Sequence, residues 1–570
     1  MHDLVIRGGT VVDGTGTASQ TADIAIDGGR ITAVGKVTDG AHRTIDADGL
    51  IVSPGVVDVH THYDGQVTWD PLLTPSCWHG VTTVVMGNCG VGFAPVRPGS
   101  EEWLIQLMEG VEDIPGTALA EGIKWGWETF AEYLDVLEQM PRAIDVGTQV
   151  PHGAVRAYVM GERGAKNEPA SPEEIEAMAA IVKAGIAAGA LGFSTSRTIM
   201  HRAVDGEPVP GTFAAEDELM GIGRALGELG KGVFELAPAG VMGEDLTAPE
   251  REVAWMRKLS ATTGRPVSFV LSQHNFAPDQ WRDLLQYSLD ATADGADLRP
   301  QVAGRPLNML IGWQTIHPFM WRPTYATLAD LPLAERVEAL ARREVRQAIL
   351  GEESVGAPAI AQYVVASLDR IYPMGDPPDY EPGPEQCVSA IAKREGRPEE
   401  EVLYDIMMRN EGRELLMFAL LGYSNGSLDD MREMILHPNA AMGLSDGGAH
   451  CGVICDASIP TFMLTHWVRD RTRGERLPLE LVIKKQTHDS ARLFGLEDRG
   501  VLAPGYKADV NLIDFDRLQL ALPELVFDLP GGARRLIQKA TGYTATVVAG
   551  EVTFEQGEPT GARPGKLVRG

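Results

Sequence analysis

The chain has 570 residues, and a prior of about 150 residues per domain predicts two to four folding units, although barrels often exceed that length. Its 50 lysines and arginines face 79 aspartates and glutamates, and the net charge of −29 argues against nucleic acid or an anionic membrane as a partner. No run approaches the roughly 18 to 20 apolar residues of a transmembrane helix, and the first residues lack a signal-peptide pattern, so we expect a cytoplasmic protein. Five cysteines in a long chain do not suggest a disulfide framework.

Both ends of the chain carry short alternating strands with Asp-Gly and Gly-Gly turns, a pattern typical of antiparallel sheets. These segments are residues 1–52 and 500–570. Since neither is long enough to bury a core by itself, we predict that the two ends pair into one small β-sandwich domain.

Residues 53–499 alternate apolar strands with helical patterns, which is typical of an α/β barrel with parallel strands. The predicted barrel strands are, in order, Gly55–His60, Val81–Met86, Ile144–Val150, Leu191–Thr195, Val233–Leu236, Val267–Leu271, Leu307–Ile311 and Ala441–Leu444. Between about 313 and 438 the alternation breaks, and Pro-rich stretches and charged helices form an insertion too long for a loop. We therefore predict a (β/α)8 TIM barrel with an insertion after strand 7, in a position to cover the active site.

The first predicted barrel strand ends in the motif His60-Thr61-His62. Side chains at i and i+2 leave a strand on the same face, so the two imidazoles can bind one cation. A pair of hydrogen-bonded or solvent-facing histidines is the alternative. The unbroken β-branched run before His60 is typical of a strand buried in a parallel sheet, whose last residues reach the functional rim, and it favours the metal site.

Three further motifs lie near predicted strand ends: Gly-Asn-Cys-Gly at 87–90, His-Gly-Ala-Val-Arg at 152–156 and Ser-Asp-Gly-Gly at 445–448. Together with the His-x-His motif and the terminal β segments, they resemble the metal-dependent amidohydrolase superfamily and, within it, the N-acyl-D-amino-acid deacylases (D-aminoacylases). The resemblance covers the N-terminal half and both ends well, and the insertion poorly. It implies a (β/α)8 barrel with a small β-sandwich, one or two zinc ions, and hydrolysis of an N-acyl amide.

The resemblance also implies roles for two residues. Cys89 becomes a zinc ligand beside His60 and His62, where the flanking glycines allow close approach, rather than a buried structural cysteine. Asp446 becomes both a metal ligand and the base that deprotonates the attacking water, rather than a helix N-cap. In the implied mechanism, protonated Asp446 then donates to the leaving amine.

At the fifth strand the chain departs from the D-aminoacylase pattern, because the family's ligating histidine is absent. Glu235 lies in this strand, and a cation would offset the cost of burying it, whereas a salt bridge to Arg197 or Lys231 is an equal alternative. The superfamily's carboxylated lysine on the fourth strand is also missing. We therefore expect one essential zinc, and a second ion would have to be bridged by Cys89 or Glu235.

The sixth strand also departs from the D-aminoacylase pattern. An ungapped alignment puts Gln273 at the family's ligand position, with His274 beside it as a candidate ligand. Strand alternation sends these two side chains to opposite sides, so only one can face the metal. Asn275 replaces the lysine that reaches the substrate carboxylate in the family.

Four polar residues are candidates for substrate binding: Arg197, His201, His152 and His450. Arg197 could hold a substrate carboxylate in place of the missing lysine, or pair with a neighbouring carboxylate. For His152 and His450 the alternative is a neutral ring bonded to backbone. Cys451 and Cys455 lack a second ligand pair, so we expect them to be structural.

The sequence thus predicts a zinc-dependent hydrolase of small-molecule amides, with N-acyl-D-amino acids as the favoured substrates. The first alternative is an amidase for neutral or bulky amides, and a cyclic-amide hydrolase or deaminase on the same scaffold is disfavoured by the motifs at 87–90 and 152–156. A non-catalytic assembly module would be expected to lose the His-x-His motif or Asp446, and this chain keeps both. A homo-oligomer is left open.

Overall fold

The structure is a computed structural model that describes residues 1–570. The strands are β1 His2–Val11, β2 Gln20–Asp27, β3 Arg30–Gly35, β4 Ala41–Asp46, β5 Ile51–Pro54, β6 Val56–Asp58, β7 Val81–Met86, β8 Asp145–Pro151, β9 Gly192–Ser196, β10 Val233–Ala237, β11 Val267–Val270, β12 Leu298–Val302, β13 Leu307–Ile311, β14 Ile371–Pro373, β15 Leu416–Leu421, β16 Ala441–Met442, β17 Val510–Ile513, β18 Gln519–Leu520, β19 Glu524–Val526, β20 Arg535–Ile537, β21 Ala540–Thr541, β22 Tyr543–Val548, β23 Glu551–Glu555 and β24 Glu558–Pro559.

The α-helices are α1 Glu101–Glu112, α2 Gly116–Gly122, α3 Phe130–Glu138, α4 His152–Met160, α5 Glu162–Ala165, α6 Pro172–Ala188, α7 Glu216–Leu229, α8 Ala248–Thr263, α9 Gln280–Ala293, α10 Pro323–Ala326, α11 Leu333–Leu340, α12 Arg343–Gly351, α13 Ala359–Val365, α14 Val388–Glu395, α15 Glu399–Met407, α16 Arg409–Gly412, α17 Asp429–Leu436, α18 Ile459–Phe462, α19 Leu479–Lys484 and α20 Ser490–Leu493. Two π-helical segments, Met463–Asp470 and Lys485–Asp489, continue α18 and α19. None of the helices combines the length and apolar character needed to cross a bilayer.

Eight strands form one parallel sheet in the order β6, β7, β8, β9, β10, β11, β12 and β16. The first and last strands meet just beyond their ends, where His62 N–H donates to the Gly447 carbonyl at 2.8 Å and Asp446 N–H donates to the His60 carbonyl at 3.1 Å. These bonds bring the sheet round into a barrel at its carboxyl rim. The predicted α/β barrel is therefore confirmed.

The prediction for the seventh barrel strand is wrong. Leu307–Ile311 (β13) pairs antiparallel with β15, outside the barrel, and Leu298–Val302 (β12) takes the seventh place between β11 and β16. Leu307–Ile311 has the apolar run expected of a buried parallel strand, whereas β12 contains an arginine, a proline and a glutamine. Hydrophobicity alone therefore favours the wrong segment.

The insertion lies between the seventh and eighth barrel strands, but it begins before the predicted residue 313, because β13 belongs to it. It carries the three-stranded sheet β13-β15-β14 and the helices α10 to α16. It also has its own hydrophobic core, in which Trp313, Phe319 and Tyr404 pack together. A separate core allows this segment to act as a wall over the barrel mouth without disturbing the barrel.

Strands from both chain ends form one nine-stranded sheet, in which β5 pairs antiparallel with β17 and so joins the N-terminal and C-terminal parts. Its core includes Ile6, Ile24, Val510 and Val547, all fully buried. The pairing of the two ends into one β domain is confirmed, and we keep 1–52 and 500–570 as its proposed limits, with 53–499 as the barrel.

Candidate active site

Three side chains from the first two barrel strands converge at the carboxyl rim of the barrel. His60 and His62 follow β6, and Cys89 follows β7. All three are buried, and one ligand atom from each lies within 4.8 Å of the others. Because parallel strands deliver their ends to the same rim, residues 27 positions apart in sequence can form one cluster.

A hydrogen-bond relay from Ser268 orients the ring of His60. Gln301 Nε2 donates to Ser268 Oγ at 2.9 Å, which leaves Gln301 Oε1 to accept from His60 Nδ1 at 2.9 Å. The Nε2 atom of His60 then carries the lone pair, and it faces Cys89 Sγ at 3.4 Å. A fixed tautomer of this kind is typical of metal-ligating histidines.

Glu112, the last residue of α1, lies close to the ring of His62 without a hydrogen bond to it. Its Oε1 lies 3.4 Å from His62 Nδ1, while His62 Nε2 lies 3.8 Å from Asp446 Oδ1. Asp446 Oδ1 also lies 3.6 Å from His60 Nε2. Both imidazoles therefore present Nε2 toward the Asp446 carboxylate, and that carboxylate borders the cluster.

Several buried polar atoms in this cluster have no hydrogen-bond partner, among them His62 Nδ1, Glu112 Oε1 and Glu235 Oε1. Burial raises the pKa of Glu235 to about 8 and raises the pKa values of Glu112 and Asp446 well above their usual range. A buried cation would offset this cost. Nitrogen, sulfur and carboxylate donors together suit zinc, so the residues fit a divalent metal ion.

Glu235 lies in the fifth barrel strand with its side chain directed at the same cluster. Its Oε2 accepts from the Cys89 backbone N–H at 3.2 Å, and its Oε1 lies 3.6 Å from His60 Nδ1. It forms no salt bridge with Arg197 or Lys231. Glu235 therefore remains a proposed ligand of the centre.

The backbone around the cluster is strained in a way that the motifs explain. Cys89 and Asp446 have positive φ angles of 54° and 48°, which L residues rarely adopt. A Cβ atom on Gly87 would lie 2.4 Å from the Gln149 carbonyl oxygen. The sharp turn in the Gly-Asn-Cys-Gly motif thus needs glycine beside the cysteine.

A cavity of about 300 Å³ opens beside the cluster and is lined by His60, His62, Cys89, Glu112 and Asp446 on one side. Hydrophobic residues make up 19 of the 29 residues that line it, and several come from the insertion. Its size is at the lower end of the range for small-molecule sites.

His201 and His450 also line this cavity. His201 Nδ1 lies 3.0 Å from Ser196 Oγ, and His450 Nε2 lies 3.8 Å from both Glu112 Oε2 and Asp446 Oδ2. Burial lowers the pKa of each imidazole to about 4. Neutral rings at the cavity wall can donate or accept a hydrogen bond, so both stay proposed substrate-binding residues.

Arg197, His152 and His274 were also candidates, and all three lie outside the cavity lining. Arg197 Nε donates to both carboxylate oxygens of Glu252, at 2.9 and 3.1 Å. His152 is bonded to Thr195 Oγ1 and Glu218 Oε1, at 2.8 and 2.9 Å.

His274 Nε2 lies 3.2 Å from Gln280 Oε1, and its neighbour Gln273 lines the cavity instead. Both residues lie beyond the end of β11 at Val270, so the strand alternation used in the prediction does not apply to them.

Sequence reasoning missed Glu112 and Gln301. Glu112 is only 2 % exposed although it is acidic, and it shares the buried face of α1 with Ile105 and Met108. An acid at a helical spacing from apolar residues was the available signal. Gln301 lies in the barrel strand that was not predicted, so it was not considered.

Comparisons with known proteins identify the family of the chain and support its fold. The amidohydrolase family model matches residues 43–554. The D-aminoacylase of Alcaligenes xylosoxydans xylosoxydans is 27% identical over 575 residues, covering 99% of this chain and 97% of the relative. A solved D-aminoacylase structure has a TM-score of 0.66 at 23% identity with both chains fully covered. The N-acyl-D-glutamate deacylase from Bordetella bronchiseptica, solved with zinc and a phosphonate inhibitor, has a TM-score of 0.64 at 23% identity, again with both chains fully covered. The chain belongs to the amidohydrolase family.

Proposed function

We propose that this protein is a metal-dependent hydrolase that cleaves the linear amide bond of N-acylated small molecules. The observation that carries the proposal is the convergence of His60, His62 and Cys89 with the Asp446 carboxylate at the wall of an apolar cavity. The names of the relatives, a D-aminoacylase and an N-acyl-D-glutamate deacylase, support amide hydrolysis and make N-acyl-D-amino acids the first class to assay.

In this proposal His60, His62 and Cys89 hold one essential zinc ion, and Glu235 and Asp446 are the nearest further donors, also for a second ion. Zinc there would supply Lewis-acid activation of the attacking water and of the substrate carbonyl. The hydrogen bond from His60 Nδ1 to Gln301 holds the His60 ring in the required tautomer, and the Glu112 carboxyl group lies 3.4 Å from His62 Nδ1.

Asp446 acts as the proton carrier. Its carboxylate borders both the histidine cluster and the cavity, so it can reach a water molecule positioned between them. It takes the proton from that water and then delivers it to the leaving nitrogen, a role that contributes roughly 10²- to 10⁴-fold to such reactions.

The direct test is a panel of N-acyl D- and L-amino acids and N-acyl amines, assayed with protein whose zinc content has been measured. We expect stoichiometric release of a carboxylic acid and a free amine from at least one linear amide. Zinc-loaded, folded protein that cleaves only cyclic amides, or releases ammonia from an amino-substituted ring, would overturn the proposal.

A further inference from the structure

We propose, on the basis of the function proposed above, that the preferred substrate is an apolar N-acyl amide whose amine part carries no free carboxylate. This class differs from that of the relatives with N-acyl-D-amino-acid names. Four observations lead to it. The one cationic side chain at the cavity is already paired, and Asn275 and Arg197 are engaged elsewhere. The cavity wall is largely apolar, and acidic side chains already lie at the cavity.

Arg305 is the only lysine or arginine among the residues that line the cavity. One Nη atom donates to Asp456 Oδ1 at 2.8 Å and to the Cys455 carbonyl at 2.6 Å, and the other donates to Ser458 Oγ at 3.1 Å. The guanidinium also lies 3.9 Å from the centre of the Tyr380 ring. Because Asp456 already neutralises Arg305, and only Nε–H lacks a partner, no bidentate contact to a substrate carboxylate is available.

Neither residue that could replace the family's lysine is free. Asn275 Nδ2 donates to the Tyr363 hydroxyl at 2.9 Å, and Asn275 Oδ1 accepts from Ser424 Oγ at 2.7 Å. Arg197 is paired with Glu252, and both Asn275 and Arg197 lie outside the cavity lining.

The cavity wall opposite the histidines is apolar. It includes Leu271 after the sixth barrel strand, Met309 and Leu420 from the insertion sheet, and Met431 from α17. At the rim, Met200 lines the cavity and is 48% exposed. A wall of this kind binds alkyl or aryl groups and offers no partner to an ionised group.

Phe276 extends the apolar rim. It is 62% exposed, it stacks on Tyr363 of α13 with ring centres 6.2 Å apart, and it lies against Gly243, next to the cavity-lining Met242. Exposed large apolar side chains at a cavity mouth are expected where an apolar part of the substrate extends outward.

The charge of the protein acts in the same direction. Glu112 and Asp446 already place two carboxyl groups at the cavity, and the whole chain carries a net charge of −29. A substrate carboxylate would have to enter beside these groups without a cation from the protein.

The test compares two compounds that differ only in the carboxylate: N-octanoyl-D-leucine and N-octanoyl-3-methylbutylamine. With zinc-loaded enzyme, we expect kcat/KM for the amine derivative to be at least about tenfold higher, which is the discrimination that an unpaired charged group imposes. A smaller ratio, or a preference for the acid, would overturn the inference.

A designed cation at the cavity provides the second arm. Leu420 is half-buried in the wall, so Leu420→Lys adds an ammonium group, and Leu420→Met is the matched uncharged control. We expect the ratio of kcat/KM for the acid to kcat/KM for the amine derivative to be at least tenfold higher in Leu420→Lys than in Leu420→Met. An unchanged ratio in a folded Leu420→Lys variant that cleaves either compound contradicts the absence of a carboxylate partner.

Failure of the proposed function gives a different result. If neither compound is cleaved, equilibrium dialysis of both against zinc-loaded wild-type protein still decides the inference. Tenfold tighter binding of the amine derivative supports it, and equal or tighter binding of the acid overturns it.

Discussion

The two halves of the barrel mouth are built from different parts of the chain and have opposite chemistry. The metal half comes from β6, β7, β16 and the end of α1, and it is polar, acidic and conformationally strained. The other half comes from β11, the segments after β11 and β12, and the insertion strands β13 and β15, and it is mostly apolar, with Arg305 paired to Asp456. On the proposed function, we infer from this difference that the barrel would supply the reaction and the insertion would contribute to substrate selectivity.

Removing a histidine from the metal half should have the largest effect. His60→Ala and His62→Ala each delete a neutral nitrogen ligand, so we expect loss of activity and of most of the metal. Metal content by mass spectrometry and kcat/KM are the readouts, with the exposed His42→Ala on β4 as the control. Full metal content and activity in both variants would refute the assignment of the centre.

Removing only the proton carrier should leave the metal in place. Asp446→Asn keeps the shape of the side chain but not its basicity, and we expect turnover to fall by roughly 10²- to 10⁴-fold. Single-turnover rates with measured metal content are required. A rate within a fewfold of wild type would mean that another group accepts the proton.

We expect Glu112 to affect the zinc affinity more than the stability of the fold. Glu112→Gln replaces the carboxyl group facing His62 Nδ1 with an amide, and we expect the zinc affinity to fall by about 10- to 100-fold. Competition with a chelator measures this affinity, and Glu102→Gln, an exposed acid on the same helix, is the matched control. Unchanged zinc affinity in Glu112→Gln would leave Glu112 without a role at the centre.

A substitution in the apolar half should lower kcat/KM without changing the metal content. Leu420→Ala enlarges the cavity at its apolar wall and removes no ligand atom, so we expect kcat/KM for an apolar amide to fall by about tenfold with the metal content unchanged. A loss of metal in this variant would show that the two halves are not independent.

Arg197 provides the smallest expected effect on activity. Since its guanidinium is bonded to buried Glu252 rather than to the cavity, Arg197→Ala should change kcat/KM by less than about threefold. Its free energy of unfolding should fall by about 3 kcal/mol, because Glu252 is left buried and unpaired. A large rise in KM for an N-acyl amino acid would restore Arg197 as a substrate-binding residue.

The parts that could be predicted from the sequence are those carried by local patterns. His60 and His62 lie two residues apart on a strand, and Cys89 lies between two glycines, so a short window contains the relevant information. The start of α6 is encoded equally locally, because Ser171 caps the helix in a capping box with Glu174.

The parts that could not be predicted depend on tertiary contacts. Gln301 is tolerated inside β12 because it bonds to Ser268 and His60, neither of which is near it in sequence. Glu112 is 50 residues from His62, and no local pattern links the two. The pairing of Arg305 with Asp456 also joins residues that are distant in sequence, and it determines that the one cationic side chain lining the cavity is neutralised.

The most direct test of the central claim is a zinc titration of chelator-treated wild-type protein, with amide hydrolysis followed at each step. We predict no hydrolysis without metal and an activity that rises in proportion to zinc up to about one equivalent per chain. Metal-free protein, verified by mass spectrometry, that cleaves the amide at the rate of the zinc-loaded protein would contradict the account.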